Sequence, residues 1–155
     1  MRRQDRTLDK QRAFEILKNG EYGVLSMRTE DGMGAYGVPL NYVWDGEQTI
    51  LVHCAPEGRK LTCIDTCKNV SFCVVGRTNV IADKFTTGYE SIILRCVASH
   101  HLPTEERKEA LKKFIGKYSP GHQEIGMQYA EKSFSRTEIL RLDILEISGK
   151  AKNLF

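Results

Sequence analysis

The segment His53-Cys54-Ala55-Pro56-Glu57-Gly58-Arg59-Lys60 is the part of the chain best equipped for chemistry. Gly58 allows close backbone approach, Arg59 carries a planar fork of donors, and Lys60 is a compact point charge. A helix starting at Glu57 would add free N–H groups, and together these make a corner able to hold a phosphate. Taken alone, the segment reads first as an ordinary strand-to-helix turn with solvated cations, because motifs this short recur by chance. His53 is first a hydrogen-bonded histidine on a buried strand and only second a proton donor. Cys63 and Cys67 share a helix face with i,i+4 spacing, near His53 and Cys54 in sequence. No C-x-x-C pair or second histidine at zinc-finger spacing accompanies them, so no metal is expected there. The doublet His100-His101 precedes Pro103 and is expected to be solvated. Tyr36, Tyr42, Trp44 and Tyr89 are flat enough to stack on a planar ligand or to fill a core or an interface.

The composition sets bounds on what such a corner serves. The chain has 155 residues, 41% hydrophobic and 28% charged, which suits one soluble domain spanning residues 1–155. The net charge is +3, with acids and bases interleaved, which argues against a nucleic-acid partner. No apolar run approaches the ~20 residues of a membrane span. Arg2 and Arg3 are followed by polar residues rather than an apolar export segment, so a cytoplasmic protein is expected. Five cysteines, an odd number sited mostly in apolar runs, fit reduced buried thiols better than a disulfide framework.

The elements that position these residues follow from periodicity. Residues 7–17 read as a helix with Ala13, Phe14, Ile16 and Leu17 on one face, stopped at Asn19-Gly20. Residues 22–27 read as a strand and 29–34 as a hairpin loop. Residues 36–44 read as a second strand, which Pro39 marks as an edge, a bulge or a strand facing a ligand. Asp45-Gly46 signals a hairpin into a third strand, 49–55, apolar on both faces and burying His53. A short helix over 57–67 follows, then strands at 69–75, 78–82 and 89–100, the last expected to be the longest. Pro103-Thr104 opens the strongest helix, with Thr104 as N-cap and Ala110, Leu111, Phe114, Ile115 and Tyr118 as its stripe. A further short helix over 122–132 precedes a final strand at 137–147. Six or seven strands in hairpin order favour a mainly β, antiparallel barrel with flanking helices over a doubly wound parallel sheet.

Several stretches, taken in order, resemble the FMN-binding split-barrel superfamily of pyridoxamine 5′-phosphate oxidase-like proteins, and within it the nitroimidazole-resistance branch. They are M-R-R-Q-D-R, E-Y-G-V-L-S, Y-G-V-P-L-N-Y, H-C-A-P-E-G-R-K, N-V-S-F-C-V-V-G, F-T-T-G-Y-E-S-I-I, G-K-Y-S-P and I-S-G-K-A, running from Met1 to Ala151. The resemblance implies a Greek-key-like split barrel and a homodimer with flavin in the groove between subunits. It implies FMN, with FAD as the other flavin allowed. Val38, Pro39, Leu40 and Asn41 would lie along the ring system. His53, Ala55, Gly58, Arg59 and Lys60 would hold the ribityl chain and phosphate. Thr87, Tyr89, Glu90 and Ser91 would approach from neighbouring strands or the other subunit. His53 and Tyr89 are the candidates for passing a proton to substrate, although no catalytic residue is required. The implied activity is flavin-dependent reduction of a nitroaromatic or other small flat acceptor. Non-catalytic flavin binding is the alternative, and heme binding with His53 as axial ligand is a weaker one. Arg59 departs from the histidine usual in that branch, and the C-terminal end lacks the Arg- and Pro-containing segment of true pyridoxamine phosphate oxidases.

Overall fold

The computed structural model describes residues 4–155, so the Met1-Arg2-Arg3 start of the first matching stretch lies outside the described residues. The elements run α1 (Lys10–Asn19), β1 (Tyr22–Arg28), β2 (Ala35–Asn41), β3 (Val43–Trp44), β4 (Thr49–Cys54), α2 (Arg59–Thr66), β5 (Asn69–Ile81), β6 (Thr86–Ser99), α3 (Thr104–Tyr118), α4 (Gln123–Ser133) and β7 (Glu138–Lys152). All seven strands join one antiparallel sheet in the order β2-β1-β5-β6-β7-β4-β3.

The two strands at the ends of that order, β2 and β3, are consecutive in sequence and separated only by Tyr42. The sheet must therefore curl until its edges approach, which gives a barrel split at one seam. The expected single strand over 36–44 is thus two strands. Its alternation of apolar residues is continuous, but its halves pair with β1 and β4 respectively. Tyr42 marks the break, fully buried, with its hydroxyl donating to Leu17 O at 2.6 Å. α3 pins the seam from outside: Tyr118 Oη accepts from Tyr42 N at 3.0 Å, and Lys117 Nζ donates to Gly20 O and Tyr42 O.

Inward side chains fill the barrel, among them Leu25, Ile50, Val52, Phe72, Val74, Ile92, Leu94 and Leu142. α1 contributes Ala13, Ile16 and Leu17 to this core, and α2 contributes Leu61, Cys63 and Ile64. A smaller cluster lies between α3 and the other face of β3, β4 and β7, built on Val43, Leu51, Ala110, Phe114 and Ile139. The Asp45-Gly46 hairpin forms as expected. Gly46 takes φ +94, and Asp45 Oδ1 accepts from the N–H groups of Glu47 and Thr49.

Several expectations are corrected. β7, extending to Lys152, is the longest strand, because its C-terminal half pairs with β6 beyond the end of the apolar alternation. The stretches 69–75 and 78–82 are one strand with an irregularity between Val75 and Thr78. The N-cap of α3 is Pro103 rather than Thr104, and no side chain caps it. Cys63 and Cys96 are buried, whereas Cys54, Cys67 and Cys73 are only half-buried; all five are free thiols. No helix among the described residues is long and apolar enough to cross a membrane.

Candidate functional site

After Cys54 the chain leaves the sheet and turns through Ala55, Pro56, Glu57 and Gly58, all exposed. Gly58 takes φ +133, a conformation that side-chain-bearing residues rarely adopt, and α2 begins immediately after it rather than at Glu57. The carbonyl of Gly58 accepts from Leu61 N at 3.0 Å and Thr62 N at 3.3 Å. The N–H groups of Arg59 and Lys60 precede those bonds. No side chain caps the helix, and nothing among the described residues accepts from these two groups.

The two cations differ in their engagement. The Arg59 guanidinium sits 4.9 Å over the Tyr36 ring, with Nε 3.6 Å from Glu30 Oε2. It therefore ties the start of α2 to β2. Glu30 also accepts a weak bond from Cys63 Sγ at 3.4 Å. Its own backbone N–H, then Cys63 and Arg59, hold its carboxyl below the usual range. Lys60 is half-buried, and its side chain makes no hydrogen bond or ion pair among the described residues. Burial pushes the nearby Cys54 thiol up, with Lys60 acting in the opposite sense. A half-buried lysine without a counter-charge, beside two free amides, offers donors suited to an anion.

His53 corrects the sequence reading. Strand alternation turns Ile50 and Val52 into the barrel and places Leu51 and His53 on the α3 side. His53 is exposed, and its ring meets Phe114 edge-on at 4.7 Å. Desolvation at that contact lowers its imidazole below 6.5.

On β2 the side chains of Val38 and Leu40 pack against the core, whereas Pro39 and Asn41 are exposed. Asn41 Nδ2 donates to Glu21 O at 2.8 Å. As an edge strand β2 also keeps one side of its backbone unpaired with β-structure.

The structure does not bring Thr87, Tyr89, Glu90 and Ser91 to this corner within one chain. Cys54 pairs with Glu138 at the start of β7, whereas Tyr89 pairs with Lys152 at its end. Tyr89 has its phenol held below the usual range by hydrogen bonds from Arg6 and Lys150. Glu90 is buried at 2% exposure and clamped by two guanidiniums. Arg12 donates from Nε at 3.1 Å and Nη2 at 2.8 Å, and Arg77 from Nε at 3.1 Å and Nη2 at 3.0 Å. Its carboxyl is thereby spent on the fold. Of the aromatic candidates, Tyr42 meets Phe72 in the core and Trp44 stacks on Phe14 at 5.3 Å. Sequence reasoning missed Glu30 and the Arg12–Glu90–Arg77 clamp; members of each meet across the fold and leave no local signal.

The family model for pyridoxamine 5′-phosphate oxidase matches residues 9–151. No curated protein matches the chain. Among solved structures, it is similar to a candidate 5-nitroimidazole antibiotic resistance protein from Bacteroides thetaiotaomicron, at 18% identity and TM-score 0.74, covering 94% of this chain and 86% of that one. A flavocytochrome from Azotobacter vinelandii shares 19% identity at TM-score 0.76, over 94% of this chain and 68% of the other. An FAD-binding protein from Mesorhizobium loti shares 20% identity at TM-score 0.67, over 96% and 98%. At these identities the likeness speaks for the split-barrel fold.

Proposed function

The chain belongs to the pyridoxamine 5′-phosphate oxidase family, and from that premise we propose that it binds a flavin and uses it to reduce a nitroaromatic or other small flat acceptor. The observation that carries this reading is the unpartnered, half-buried Lys60 beside the free N–H groups of Arg59 and itself. Those donors fit the phosphate of FMN. Arg59, partly exposed over Tyr36, keeps N–H groups for the longer pyrophosphate of FAD. The edge of β2 offers exposed Pro39 and unpaired backbone groups to a flat ring system. When bound, the flavin supplies the redox chemistry, and the protein supplies position and electrostatics. His53, exposed beside the corner, is the group placed to hold a proton for substrate.

The corner is open on one side, and the other half of the expected site lies at the far end of β7. A second copy of the chain is the way to complete it, with Thr87, Tyr89 and Ser91 arriving from that copy. A row across the sheet supports such a pairing. Pro39, Val24, Cys73, Ile93 and Ser148 stand opposite one another on β2, β1, β5, β6 and β7. This row is half-buried to exposed, with Ile93 at 53% and Val75 and Leu145 nearby at 58% each.

The test is flavin uptake by the purified protein, followed by fluorescence quenching with FMN and FAD. Saturable binding is expected, and Lys60→Ala should weaken it about tenfold or more, the worth of a charge-assisted hydrogen bond. Failure to take up either flavin removes the proposal. Flavin binding without turnover of any nitro compound under reducing conditions would leave a non-catalytic flavin binder.

A further inference from the structure

Two adjacent histidines and a buried glutamate meet where β6 ends and β7 begins. One ring nitrogen of His100, one of His101 and a carboxylate oxygen of Glu138 all lie within 4.8 Å of one another. His100 is not solvated as its sequence position suggests. Its side chain is 6% exposed, and Nε2 lies 2.6 Å from Asp65 Oδ1 on α2. A carboxylate can only accept, so Nε2 carries a proton, which leaves Nδ1 as the nitrogen that can offer a lone pair to an ion. That Nδ1 is buried and has no hydrogen-bond partner, an arrangement that costs stability unless something fills it. Glu138 is also buried. Its Oε1 accepts from Ile139 N at 2.8 Å and faces Arg107 Nε at 3.8 Å, while Oε2 faces His101 Nδ1 at 3.4 Å. Exposed His101 takes φ +61, an uncommon backbone state for a residue with a side chain.

We propose that His100, His101 and Glu138 form a site for a divalent transition-metal ion of the zinc type, with Asp65 orienting His100 from behind. Two imidazoles and one carboxylate suit zinc while leaving a position for water. Metal bonds of about 2.1 Å place donors roughly 3.4 Å apart. The closure from the present spacing falls to His101, whose side chain is the most exposed of the three. Asp65 fixes the tautomer of His100 and raises its basicity, the usual task of a carboxylate behind a ligating histidine. Arg107 Nε, buried and without a hydrogen-bond partner, stands on the Oε1 side, so the proposed ion takes Oε2.

The test is calorimetric titration of the full chain with zinc after chelator treatment, alongside the visible spectrum with cobalt. One ion per chain and a raised melting temperature are expected. His101→Gly retains the left-handed backbone and should abolish saturable binding with unchanged circular dichroism. Asp65→Asn should weaken binding about 10- to 100-fold. His122→Ala, outside the cluster, should leave it unchanged. Absence of saturable zinc binding, or affinity that survives both His101→Gly and His100→Asn, would overturn the proposal.

Discussion

A buried carboxylate between two guanidiniums shows how much one residue can decide. Hydrogen bonds from Arg12, then Arg77, hold the Glu90 carboxyl at about 2 instead of 4.5. The folded value lies below the unfolded one. The associated stability is therefore complete above pH 4.5 and is lost as the pH falls toward 2. Its size is roughly 3 kcal/mol, at about 1.4 kcal/mol per pKa unit. Glu90→Gln should lower the melting temperature at pH 7 and flatten its dependence on pH between 4.5 and 2; an unchanged acid profile would mean the clamp contributes nothing. Gly58 decides something different. Its φ of +133 starts α2 where the Arg59 and Lys60 amides come free. A Cβ at this position would meet nothing within 4 Å, so Gly58→Ala suffers from backbone strain rather than a clash. The expected cost is about 1–3 kcal/mol by chemical denaturation, with flavin affinity falling alongside.

At the scale of elements, the seam at Tyr42 depends on α3. Tyr118 Oη accepts from Tyr42 N and has Glu21 O at 2.7 Å and Tyr42 O at 2.8 Å as acceptors for its own proton. Tyr118→Phe strands the buried amide of Tyr42 and should cost about 1–2 kcal/mol in urea unfolding, with the fold retained. Elements whose signal is local were legible in the sequence. The alternation of Ile92, Leu94, Cys96 and Ala98 marks β6, and Ala110 and Phe114 mark the buried stripe of α3. The break at Tyr42 was not, because one apolar alternation runs through both β2 and β3 and only their partners distinguish them. The candidate site divides in the same way. The grouping of Gly58, Arg59 and Lys60 could be read because they adjoin in sequence, but the helix expected from Glu57 starts two residues later, where Gly58 takes its positive φ. The far placement of Tyr89 and Glu90 comes from strand register across the sheet, and the partner of His100 is Asp65, 35 residues away. No local pattern encodes either.

For the whole molecule, the proposed pairing of two copies would cover the row through Ile93 and complete the corner at once. Ile93→Glu should give a monomer by analytical ultracentrifugation and abolish flavin retention without unfolding the chain; a monomeric wild-type protein that still holds flavin would separate the two. The topology also bears on how the protein is made. Apart from the two-residue β3, the only strand partner of β4 among the described residues is β7, and Thr49 and Asp143 meet across 94 residues. At roughly 5–20 residues per second, a ribosome takes about 5–20 s to supply that partner. For this interval β4, with Ile50 and Val52, lacks the strand it pairs with along its whole length. A nascent chain stalled short of Glu138 should accordingly be cut at β4 by a brief protease pulse, and the same segment should resist once translation has passed Asp143. β7, supplied long after β4, thus acts as the clasp that holds it.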